Sequence, residues 1–83
     1  MKVWIVVRAD TNAEDYPDIV GVTPDYTLAA RIMSDDFMSE CKHSDINPID
    51  NEDAWLDAFS GAIRITNDYS VYWHMERKEL CHV

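Results

Sequence analysis

Eighty-three residues make one domain, able to hide only about 60% of the surface that its unfolded chain exposes. Apolar residues supply 47% of the chain, including three Trp, four Tyr and two Phe, which excludes a disordered or low-complexity polypeptide. A net charge of −9 opposes binding to nucleic acid or to an anionic membrane and favours a basic partner.

The chain opens with KVWIVVR, a breaker-free run of β-branched and aromatic residues that predicts a strand over residues 2–8. Its apolar run of five is too short for a signal-peptide core or a membrane span, which points to a cytoplasmic protein with Cys41 and Cys81 as reduced thiols. ADTNAEDYP is a polar loop, and DIVGV a second strand antiparallel to the first. TPDYTLAARIMSDDFMSEC carries a helix opening in Thr23 as cap, Pro24 at the first helical position and Asp25 at the positive end of the dipole. Leu28, Ala29, Ile32, Met33 and Phe37 form its buried stripe, with Arg31, Asp35 and Glu40 pointing away from the sheet.

After the linker KHSDINP, residues 50–61 predict a second, shorter helix: Asp50 caps it, Trp55, Leu56 and Phe59 form its stripe, and Gly61 ends it. The remainder alternates as a hairpin. A three-residue loop sets Ile65 against Val71 and Ile63 against Trp73 on one buried face, leaving Arg64 and Tyr72 outside. The expected fold is α+β in the order β-β-α-α-β-β, a mostly antiparallel sheet with helices on one face.

The acid is regional. Residues 35–57 hold eight acids against Lys42, whereas residues 58–83 balance at three against three. On a helix, Asp53 and Asp57 lie one turn apart and about 200° from Trp55, so that carboxylates and ring occupy opposite sides. Asp36 and Glu40 repeat that step, roughly 6 Å along the axis, which approximates the spacing of phosphates along a nucleic-acid strand. Such a patch suits a basic groove built for DNA or RNA; the plainer explanation is a solvated face that maintains solubility.

Catalytic and metal chemistry finds less support. DINPIDNED lacks the glycine and the final glutamate that a calcium loop places at fixed positions. Cys41, His43, His74, Cys81 and His82 lack the spacings of a structural zinc site, and Cys41 follows acids that disfavour its thiolate. Gly21 and Gly61 form no phosphate-cradling loop, and the aromatic hairpin has rings without the basic groove that single-stranded nucleic acid requires. No catalytic residue, metal or cofactor is expected.

MKVWIVVR, the acidic loop, IVGV and a helix with Ala29 and Ala30 together resemble short uncharacterised phage and bacterial proteins over about the first forty residues. In size and charge the chain resembles small acidic phage-encoded inhibitors of host defence, among them anti-CRISPR and DNA-mimic proteins. That resemblance implies inhibition of a nucleic-acid-handling complex in the host cytoplasm and carries over no functional residue. The leading expectation is a non-enzymatic protein that binds a basic protein surface through Asp35, Asp36, Glu40, Asp50, Glu52, Asp53 and Asp57, anchored by Trp55 and Tyr72. The alternatives are a homodimer joined through Arg64, Tyr72, His74 and Glu76, and a small metal-dependent enzyme.

Overall fold

A computed structural model describes residues 1–12, 17–49 and 52–79. Five strands form one antiparallel sheet: β1 (Lys2–Asp10), β2 (Asp18–Thr23), β3 (Ala54–Leu56), β4 (Ser60–Thr66) and β5 (Tyr69–Glu79). Their order across the sheet is β2-β1-β5-β4-β3, and helix α1 (Tyr26–His43) lies on one face. The β-branched run of β1 takes an inner position, pairing with β5 from Lys2↔Glu79 to Asp10↔Val71 and with β2 on its other side. The first strand is thus closed against the last.

α1 is capped by Asp25, whose carboxylate accepts from Thr27 N at 2.9 Å, and not by Thr23, which is buried at the end of β2 and accepts instead from Asp25 N. Ala29, Met33, Phe37 and Cys41 form its buried stripe, while Leu28 is left exposed. At the other end, Ile46 N bonds Cys41 O and Asp45 N bonds Lys42 O, with Asp45 in the left-handed region at φ 55°. These are the bonds of a Schellman motif, here built on aspartate where glycine is usual.

Alternation places Val6, Ala54, Ile63, Val71, Trp73 and Met75 on the helix side, where they close the core with the α1 stripe. Trp73, 1% exposed, meets Phe37 edge-on at 5.4 Å between ring centroids. The opposite face of the sheet carries Val3, Ile5, Val7, Ala9, Ala62, Tyr72 and Trp55; Val3, Val7 and Ala62 are buried there, Ile5 and Ala9 are half-buried, and Trp55 and Tyr72 are exposed.

The order is β-β-α-β-β-β, so the second helix expected from the sequence is not formed. Trp55, Leu56 and Phe59 satisfy a helical stripe for barely more than one turn, and so short a helix has little stability without packing to hold it. The same residues serve a hairpin with β4 better: Ala54 is buried against the core, Leu56 pairs with Gly61, and Asp57 N bonds Ser60 O across a two-residue turn. Gly61 is a strand residue, not a helix terminator. A Cβ there would lie 2.8 Å from Leu56 Cδ1 and 3.1 Å from Trp55 O, so glycine permits the close approach of β3.

The β4–β5 register also differs from expectation. Thr66 pairs with Tyr69 across a two-residue Asn67-Asp68 turn, and Ile63 pairs with Val71 in place of Trp73. A bulge between Arg64 and Thr66 absorbs Ile65, which still packs on the core. One extra residue restores the apolar face that a plain two-residue loop would have turned outward. The faces expected of Ile63, Ile65, Val71 and Trp73 therefore hold while their cross-strand partners do not.

Candidate protein-binding surface

The acids expected to form one patch divide into three groups. Asp36 and Glu40 are turned inward to the sheet. Asp36 accepts from Trp73 Nε1 at 2.7 Å and from Arg8 Nη1 at 3.3 Å, and Glu40 accepts from Arg8 Nη2 at 2.8 Å. The Arg8 guanidinium also lies over the Trp73 ring, 5.6 Å from its centroid. Burial works against the Arg8 charge, but hydrogen bonding and attraction from Glu40, with Asp36 adding to them, hold its pKa above the ordinary value. Glu40 therefore does not point away from the sheet, and both carboxylates fasten the helix to it. Asp35 lies exposed on the outer side of α1, and Asp50 falls outside the described residues.

The third group surrounds β3. Arg64 N bonds Asp53 O at 2.8 Å and Asp57 N bonds Ser60 O at 2.8 Å, so the ladder continues through both residues that flank the strand. Asp53, Trp55 and Asp57 consequently alternate with Ala54 and Leu56 and share the face that lacks the helix. A helix would have set ring and carboxylates on opposite sides; the strand brings them together. Glu52 is exposed beside them, and Asp53 makes a loose, exposed ion pair with Arg64 at 4.0 Å.

Pairing also joins Trp55 to Tyr72. Trp55 lies opposite Ala62, and Ala62 opposite Tyr72, so the two rings flank one small residue, about 10 Å apart by strand spacing. Trp55 is 48% and Tyr72 42% exposed. Further along β5, Glu76 accepts from His74 at 2.9 Å and pairs with Lys78 at 3.3 Å; these contacts, the His74 bond foremost, hold its carboxyl below the usual carboxylate range.

One feature escaped the sequence reading. Trp4, Tyr26 and Phe59 form an aromatic cluster, Trp4 and Phe59 stacked at 5.9 Å and Trp4 and Tyr26 edge-on at 5.1 Å, with Arg77 over the Trp4 ring. Tyr26 donates to Ala58 O, which ties the start of α1 to the β3–β4 turn. Its members come from positions 4, 26 and 59, so no local pattern announces it.

A shallow depression at the start of α1 is lined by Asp25, Thr27, Leu28 and Arg31, without a histidine or cysteine. Among the described residues no group of three or more histidine, cysteine or acidic side chains is placed to hold a metal ion. Cys41 is buried; desolvation, and secondarily the Glu40 charge, push its thiol pKa up, which suits an inert core residue. No helix among the described residues is long and apolar enough to cross a membrane. The chain matches no family model, no curated protein and no solved structure. Fold and surface together define a small α+β domain: among the described residues, a five-stranded antiparallel sheet with one helix, and an acid-flanked aromatic row on the face away from that helix.

Proposed function

We propose that this protein is a non-enzymatic binding protein that docks on a basic surface of another protein. Support comes chiefly from one arrangement: Asp53, Trp55 and Asp57 share the face of β3 away from the helix, with Tyr72 in the same cross-strand row. An arginine or lysine entering over the Trp55 ring meets the negative face of its π-system with carboxylates on either side. Glu52 and Asp35 extend the attracting field, Trp55 and Tyr72 supply the desolvated anchors, and Asp36 and Glu40 serve the fold. The overall charge of −9 favours a partner surface that itself handles nucleic acid, and inhibition in the cytoplasm is the role that the resemblance to small acidic phage-encoded inhibitors suggests.

The test is capture of partners from a lysate at low salt, followed by titration of the purified partner against the wild type and two variants. The expected result is binding that weakens as salt rises, falls at least ~10-fold in Trp55→Ala, and loses part of its salt dependence in the double variant Asp53→Asn and Asp57→Asn. Affinity indifferent both to ionic strength and to Trp55 overturns the proposal.

A further inference from the structure

We infer that the outer edge of β3 takes up an extended basic segment of the partner as an added strand, with a lysine or arginine at every second position. The inference rests on the basic-partner reading and says how that partner is held. The sheet ends at β3, and no described strand lies beyond it. Arg64 N bonds Asp53 O, Asp57 N bonds Ser60 O, and Trp55 lies opposite Ala62, so residues 53, 55 and 57 turn their backbone groups toward β4. Ala54 and Leu56 alternate with them and therefore point N–H and C=O outward. That edge is a row of backbone donors and acceptors that another strand satisfies, a feature independent of the acids beside it.

The opposite edge of the sheet suits a strand less well. In β2 a bulge sets Val20 toward the core and interrupts the ladder, whereas β3 pairs with β4 without a shift. Charge selects the occupant. In antiparallel addition the partner residues opposite Asp53, Trp55 and Asp57 fall in the non-hydrogen-bonded pairs, with Cα atoms about 4.5 Å apart and side chains closest. Asp53 and Asp57 each lie about 7 Å along the strand from Trp55, the repeat of alternate residues in any extended segment. Cations at that repeat meet one carboxylate each and, between them, the exposed Trp55 ring. Asp53 keeps its loose contact with Arg64, because a carboxylate accepts from several donors at once. A second copy of this edge is excluded: antiparallel pairing about Trp55 sets Asp53 of each copy against Asp57 of the other.

The test titrates the whole chain with short synthetic peptides of equal charge, read by amide chemical shifts and hydrogen exchange. One peptide alternates arginine with threonine; a second holds the same residues with the arginines in a block. Two more are the alternating peptide N-methylated at its threonines, whose amides face β3, or at its arginines, whose amides face away. The expected result is that the alternating peptide slows exchange of the Ala54 and Leu56 amides at least ~10-fold. The block and threonine-methylated peptides bind at least ~10-fold more weakly, and the arginine-methylated peptide within about 3-fold of the parent. If all four bind alike and Trp55→Ala weakens them all, the basic-partner reading stands and the strand inference is overturned. Failure of the alternating peptide to bind overturns it too, while the salt and Trp55 dependence of a protein partner decides the basic-partner reading separately. Protection of Ala54 and Leu56 in the chain alone that falls on dilution shows the edge pairing with a second copy, and equally overturns the inference.

Discussion

Replacing Arg8 by methionine tests the assignment of Asp36 and Glu40 to the fold rather than to a partner. Methionine keeps an apolar stem against Trp73 but removes both donors to the helix carboxylates. Glu40, whose side chain is 12% exposed, then keeps Ser44 Oγ at 3.3 Å, and Asp36 keeps Trp73 Nε1. A hydrogen bond between charged partners contributes about 1.5–3 kcal/mol when buried. Here the Arg8 and Asp36 side chains are 30% and 26% exposed, so solvent screening reduces each bond to below that range, about 1 kcal/mol, for a combined loss of about 2 kcal/mol. For a domain of this size that lowers the thermal midpoint by roughly 8–16 °C. The assay is urea denaturation followed by tryptophan fluorescence, with Arg31→Met as control: it makes the same change in net charge at an exposed helix position and is expected to stay within about 0.5 kcal/mol of wild type. Combining Arg8→Met with Glu40→Gln completes a double-mutant cycle, expected to show about 1 kcal/mol or more of coupling. If Arg8→Met matches Arg31→Met, or the two substitutions simply add, the carboxylates are not structural and the acidic surface regains them.

Three further outcomes follow from particular positions. Asp45→Gly, at the left-handed residue after α1, relieves backbone strain and raises stability by roughly 0.5 kcal/mol in the same urea assay; a loss would mean that the aspartate side chain has a role of its own there. Gly21→Val is expected to cost about 1–3 kcal/mol, because even a Cβ would sit 3.0 Å from Ile32 Cδ1, between β2 and the helix; a neutral result would show that Ile32 moves aside freely. Cys41 is expected to resist alkylation in a Cys81→Ser background until urea opens the core. Its folded pKa is raised, so the stability that comes from keeping this thiol neutral is present below the pKa of an unfolded thiol, near 8.5, and is lost as pH rises through the folded value. Alkylation at the rate of a free thiol would refute the burial.

How much was legible in advance depended on how far apart the deciding residues lie. β1, β2 and α1 follow from local pattern: a β-branched run, a polar loop closed by proline, and a capped segment with apolar steps of three and four. The faces of β4 and β5 were equally legible, because alternation fixes which side a residue takes. Their register was not, since a bulge at Ile65 preserves the face while shifting the partners. The acidic excess was plain in composition, yet its division into structural and exposed groups was not. Nothing near Asp36 or Glu40 in sequence identifies Arg8, 28 and 32 residues away, as their partner.

By itself, then, the sequence determined the opening strands, the helix, the apolar face of the final hairpin and the regional charge, all matters of short-range spacing and sterics. Tertiary structure decided the segment around Trp55. Its few apolar residues fit either a short helix or a short strand, and the choice fell to β4, which offers an edge to pair with and, at Gly61, the room to pair closely. That decision moved Asp53, Trp55 and Asp57 from opposite sides onto one, because a strand repeats every two residues where a helix repeats every 3.6.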